Sequence, residues 1–181
     1  GSGSLRLTLT RGTGPRGLLP PARVMPPCLI TATATLPPAT PVRLVTATQR
    51  RDAGSVLSRI KSLNYLPSIL ARMEAAAAGA DDALLRNHAG YVAETSASTL
   101  IACLGGQPVT PPISDGALPG TVRGVLVDAR MVKVGRITVC ALRQAEAVFT
   151  CNSLGVREVT ALDGHAVARR PDLLEALRAR A

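Results

Sequence analysis

The 181-residue sequence predicts an α+β fold, and three observations carry that prediction. Short apolar runs flank glycine-bearing turns at Asn87-His88-Ala89-Gly90, Gly105-Gly106 and Asp163-Gly164, which read as β-hairpins. Apolar residues at Leu63, Leu66, Leu70, Met73 and Ala77 follow the spacing of a single helical stripe. Hairpins and helices are mixed along the chain without an internal repeat, which argues for α+β rather than a doubly wound sheet.

In chain order, Gly1-Ser2-Gly3-Ser4 reads as a linker. Leu5 to Thr10 alternates with Leu5, Leu7 and Leu9 on one face, a strand. The glycine-rich stretch Arg11 to Gly17 looks like a phosphate cradle but lacks the Lys-Ser/Thr pair of a P-loop. Residues 18 to 41 are rich in proline, with a short strand from Leu29 to Thr35, and Val42 to Thr46 is another strand. Arg50 to Ser58 is expected to be a loop. Pro67 suits the first turn of the helix that follows, and Gly79 its exit. The first two hairpins pair Ala83–Leu85 with Tyr91–Glu94 and Leu100–Leu104 with Gln107–Thr110. A helix opens at Pro119-Gly120 and runs to about Met131. Val132 to Val139 is expected to be a strand, Leu142 to Ala145 a helical turn, and Ala147 to Cys151 a strand. The last hairpin pairs Val159–Leu162 with His165–Ala168, and Pro171 starts a closing helix with Arg178 and Arg180 in its final turn.

Composition narrows the function. The net charge is +9, but the arginines are scattered, and the pairs Arg50-Arg51 and Arg169-Arg170 read as solvated surface. With one Phe and no Trp the chain offers no stacking platform, so no nucleic-acid partner is expected. Four cysteines without CxxC spacing and only two histidines argue against zinc, leaving the cysteines as small core residues. No long apolar run or signal segment is seen, so the expectation is a cytoplasmic protein with no membrane span.

Lys61 is one of two lysines among 21 basic residues. An amine can attack a carbonyl where a guanidinium cannot. Lys61 is followed in order by an acid at a hairpin end (Glu94), a glycine at a helix start (Gly120) and a polar cluster after a late strand (Asn152-Ser153). Pyridoxal 5'-phosphate (PLP) chemistry needs an amine for the aldehyde, a carboxylate for the pyridine nitrogen and helix amides for the phosphate.

On these stretches the chain resembles the class IV aminotransferases, PLP enzymes of fold type IV. The family includes branched-chain and D-amino acid aminotransferases and 4-amino-4-deoxychorismate lyase. The matching segments are Lys61-Ser62-Leu63-Asn64-Tyr65-Leu66, Ala80 to Leu85, Gly90-Tyr91-Val92-Ala93-Glu94, Thr110-Pro111-Pro112, Leu118-Pro119-Gly120-Thr121-Val122-Arg123 and Asn152-Ser153-Leu154. The resemblance implies the large domain of the D-amino acid aminotransferase-like fold and PLP as cofactor. It implies that Lys61 forms the Schiff base and Glu94 pairs with the pyridinium nitrogen. Tyr65 would bond the ring hydroxyl. The amides of Thr121 and Val122 would hold the phosphate, joined by a side chain from Ser153 or Asn152. It also implies a homodimer.

The chain departs from the family pattern in places. Glu94-Thr95-Ser96-Ala97-Ser98-Thr99 lacks the family's Gly and Asn, and Gly120-Thr121-Val122-Arg123 displaces its threonine. Residues 5–181 are expected to be the PLP-binding large domain, without the family's small N-terminal domain. Three functions follow as expectations. The first is an aminotransferase acting on an amino acid and a 2-oxo acid, of branched-chain or D-amino acid type, toward which Tyr65 leans. The second is 4-amino-4-deoxychorismate lyase, releasing 4-aminobenzoate and pyruvate, toward which Asn152-Ser153-Leu154 leans. The third is a non-catalytic remnant of the same fold.

Overall fold

The computed structural model describes residues 3–34 and 40–181. These fall into two compact units, the first ending at residue 37 and the second beginning at 38. In the first unit β1 (Gly3–Leu9) pairs antiparallel with β2 (Cys28–Ala34), from Gly3 opposite Ala34 to Leu9 opposite Cys28. Gly3 and Ser4 thus belong to β1. Gly1, Ser2 and Thr35 lie outside the described residues. Leu5, Leu7 and Leu9 share one face, as the two-residue period of a strand requires, and all three are exposed.

The second unit is built on a mixed sheet of nine strands among the described residues. These are β3 (Val42–Arg51), β4 (Asp82–Asn87), β5 (Val92–Thr95), β6 (Thr99–Leu104), β7 (Gln107–Thr110), β8 (Lys133–Val134), β9 (Ala147–Asn152), β10 (Gly155–Leu162) and β11 (His165–Ala166). Their order is β5-β4-β3-β10-β9-β6-β7-β8, with β11 attached to β10. Four helices accompany them: α1 (Leu66–Ala77), α2 (Thr121–Asp128), α3 (Val139–Arg143) and α4 (Pro171–Arg180). All three predicted hairpins form, as β4–β5, β6–β7 and β10–β11.

Burial follows the strand period. In β6, Leu100 and Ala102 join one core cluster with Val42, Leu84 and Val148, whereas Ile101 and Cys103 point to the opposite face. There they meet Phe149, Leu126 of α2 and Leu177 of α4. Both faces of the central strands are covered, so β6 and β9 read as nearly continuous apolar runs.

Several expectations change. The helix over α1 exists, but its large apolar residues do not face the sheet: Leu66 is 61% and Met73 62% exposed. The packed side is Ala71 and Ala75, seated on Ala47, Ala83 and Leu85. Small side chains allow the helix axis to approach the sheet, and the opposite face then carries the bulk. β3 runs through Arg51, where the sequence predicts a loop, because a register shift lets it continue beside β4 as far as Asn87. The strand expected over Val132–Val139 shrinks to β8, and Val139 opens α3. Thr138 caps that helix, its hydroxyl accepting from the Ala141 amide at 3.1 Å. α2 ends at Asp128 rather than near Met131, with Arg130 at φ 58° closing it. Cys103 and Cys151 are buried as expected, but Cys28 and Cys140 are exposed. Among the described residues no helix is long and apolar enough to cross a membrane.

Candidate active site

A cleft of about 610 Å³ in the second unit gathers all six predicted site residues: Lys61, Tyr65, Glu94, Thr121, Val122 and Ser153. Lys61 lies on an irregular segment between a 3-10 turn at Val56–Ser58 and α1. Ser55 fixes that turn by accepting the Leu57 amide at 3.2 Å, and the Ser58 hydroxyl donates to the Asp52 carbonyl at 2.6 Å. Lys61 is exposed at the cleft. Tyr65 immediately precedes α1, four residues on from Lys61, and the Lys61 amine donates to its hydroxyl. The amine also stands 4.6 Å from the centroid of the Tyr65 ring.

Glu94 sits on β5 and is 7% exposed. Its Oε1 is 2.9 Å from Arg51 Nη2, and its Oε2 accepts the Leu118 amide at 2.9 Å. Burial pushes this carboxyl above its ordinary range. The Arg51 guanidinium, the Leu118 N–H and, more weakly, Lys61 pull it back. The cleft thus contains a carboxylate held in a fixed orientation by two donors.

Gly120 begins α2 and has no side chain to cap the helix, so the first-turn amides around Thr121 and Val122 have no side-chain cap. The position is tight: a Cβ there would meet Thr99 Oγ1 at 3.1 Å, so the threonine side chain would have to give way by a few tenths of an ångström. Ser153 is exposed in the turn joining β9 to β10 and lines the cleft. Asn152, the alternative to Ser153, is already engaged. Its amide donates to Ser98 Oγ at 3.0 Å, and its Oδ1 accepts the Leu154 amide at 2.9 Å.

The amino-transferase class IV family model matches residues 1–162. The chain belongs to the class IV aminotransferase family. It is 35% identical over 127 residues to a Methanocaldococcus jannaschii protein provisionally named a branched-chain-amino-acid aminotransferase, a match covering 68% of this chain and 44% of that protein. The chain thus spans less than half the length of this relative. Its fold matches a crystal structure from Legionella pneumophila, provisionally named a 4-amino-4-deoxychorismate lyase. That match has a TM-score of 0.88 and 32% identity, over 99% of this chain and 70% of that one. It also matches the T.th. branched-chain amino acid aminotransferase crystallised with pyridoxamine 5'-phosphate. Here the TM-score is 0.84 and the identity 28%, over 98% of this chain and 65% of that one.

Two cleft residues of this class IV aminotransferase chain escape the sequence reading. Arg51 reads as solvated surface in sequence. It lines the cleft, reaches Glu94 and donates from Nε to the Gly116 carbonyl at 3.1 Å. Arg123 stands in a matching segment without an implied role. It is 7% exposed and donates from Nη2 to the Pro111 carbonyl at 3.0 Å. The only available signal was their type, since arginine is abundant everywhere in this chain. The donor set therefore comprises an amine, an oriented carboxylate, uncapped helix amides, a hydroxyl and a buried guanidinium whose Nε has no partner. Such a set fits an aldehyde on a basic ring that carries a phosphate.

Proposed function

We propose that this class IV aminotransferase chain binds pyridoxal 5'-phosphate and takes part in amino-group transfer between an amino acid and a 2-oxo acid, of branched-chain or D-amino acid type. The supporting observation is that Lys61, Glu94 and the uncapped start of α2 line one cleft. When bound, the cofactor supplies an aldehyde that carries the amino group and a ring that withdraws electrons. Lys61 Nζ would hold the aldehyde and, when free, accept and return a proton. Glu94, oriented by Arg51 and the Leu118 amide, would keep the ring nitrogen protonated. Tyr65 would orient the ring hydroxyl, being tied already to the Lys61 amine. The Thr121 and Val122 amides and the Ser153 hydroxyl would receive the phosphate.

A second reading, 4-amino-4-deoxychorismate lyase, is favoured by the fold match to the Legionella protein of that name. The test supplies PLP with a branched-chain amino acid and 2-oxoglutarate, and separately with 4-amino-4-deoxychorismate. Appearance of the branched-chain oxo acid supports transfer. Release of pyruvate and 4-aminobenzoate assigns the lyase. Cofactor attachment without either product leaves the non-catalytic remnant.

A homodimer belongs to the same proposal. Leu66, Ile69, Leu70 and Met73 give α1 an exposed apolar face suited to a second copy. Sedimentation at several concentrations tests it, and a monomer throughout would reject it. A cytoplasmic location is also proposed, supported by the four free cysteines.

A further inference from the structure

We infer that Arg123 is the buried counter-charge for a phosphate group held in the cleft at the start of α2. The inference deepens the proposed function and rests on it for the identity of the phosphate's carrier.

Charge pairing elsewhere in the second unit sets the contrast. The buried carboxylates Asp82, Glu94, Asp115 and Glu158 each face an arginine: Arg72, Arg51, Arg136 and Arg169. Arg123 is also buried, to the same extent as Glu94, yet no acidic side chain pairs with it among the described residues. One carbonyl takes its Nη2, and its Nε has no partner. Burial pushes its pKa down, the mark of a cation removed from water without compensation. The group that acts on it electrostatically, the Cys151 thiol, is itself pushed up to about 12 by burial and so supplies no negative charge near neutral pH.

A buried charge without a counter-ion is costly, and removing its partner is more so. An anion in the cleft would supply what the protein lacks. Arg123 lines that cleft beside Gly120, Thr121 and Val122, the first turn of α2. The helix start carries the same sign of potential, so both act together on one anion. Poorly screened by water, the guanidinium acts through space and needs no direct contact.

The experiment titrates the full chain with inorganic phosphate, PLP and pyridoxal, which lacks the phosphate, following heat and absorbance. Arg123→Gln removes the charge and keeps a polar side chain, but its amide ends near the Arg123 Nε position and gives up the bond to the Pro111 carbonyl. Loss of the through-space attraction, at an effective dielectric of about 20, should make the variant bind PLP and inorganic phosphate about ten- to a hundredfold more weakly, while pyridoxal binding stays within about twofold. Arg123→Lys should restore most of the lost affinity. Equal losses for PLP and pyridoxal would mean that Arg123 only supports the fold, and would overturn the inference. So would a Gln variant that binds phosphate like the parent. Arg123→Met serves as the neutral form where Gln fails to fold. Inorganic phosphate needs no amine, so its dependence on Arg123 stands even if Lys61 does not carry the cofactor. A phosphate affinity indifferent to Arg123, with Lys61 labelled by the cofactor, would remove this inference and leave the proposed function in place.

Discussion

Arg51 Nη2 lies 2.9 Å from Glu94 Oε1, joining the end of β3 to the buried carboxylate of the cleft. Glu94 titrates above its ordinary range because burial outweighs Arg51, the Leu118 amide and Lys61. Folded protein therefore keeps this proton longer than unfolded chain does. Stability contributed by Glu94 falls as pH rises from the ordinary carboxylate range to the folded value. Arg51→Gln should move the Glu94 titration further up and widen that window. At neutral pH the loss should be about 3 kcal/mol, the low end for breaking a buried pair. A ¹³C NMR titration of the Glu94 carboxyl checks the shift, and an unchanged midpoint would contradict it.

Gly116 makes the Arg51 position possible. Its φ is 99°, and a Cβ there would stand 2.9 Å from Arg51 Cγ. Gly116→Ala should destabilise the chain by more than about 1 kcal/mol through backbone strain alone. It should also disturb the Glu94 titration through Arg51. Urea unfolding monitored by circular dichroism measures the first effect, and the NMR titration the second.

The two faces of α1 should respond in opposite ways. Ala75→Leu inserts bulk where the helix meets Ala47, Ala83 and Leu85, and should cost about 1–3 kcal/mol. Leu66→Ser or Met73→Ser, on the exposed face, should change the unfolding free energy of the isolated chain by under about 0.5 kcal/mol. Equal losses on both faces would mean that the helix packs the other way round.

Asp81 offers a pH test away from the cleft. Its bonds to Arg43 hold the carboxyl down at about 2. Its stabilising contribution is complete above the ordinary carboxylate range and is lost as pH falls toward 2. The pair is solvent-exposed, so the effect should be small and shrink with salt. Arg43→Gln should therefore flatten the acid limb of the stability curve slightly. A large change would mean that the pair is better shielded than its exposure indicates.

Much of this was legible in the sequence. Hairpins announced themselves because glycines in turns and alternating residues leave a local signal, as at Gly105-Gly106 between β6 and β7. Lys61, Glu94 and the Gly120 start, which line one cleft, stood out in the sequence because each carries chemistry at a recognisable place beside an element. What failed was non-local. Arg51 looks like any solvated arginine until β5 brings Glu94 beside it. The stripe on α1 revealed a helix correctly, but periodicity cannot say which face is used when alanines lie opposite leucines. Val132 to Val139 looked like one strand by composition, and the missed signal was Thr138, which caps α3 instead.

Lys61 is proposed as the cofactor-bearing amine. The direct measurement adds PLP to the chain, reduces with borohydride and maps the labelled peptide. The label should fall on Lys61, whose amine meets Tyr65 in the cleft, and not on Lys133 in β8, the other lysine. Cofactor bound to Lys133, or none fixed to Lys61, would contradict the account.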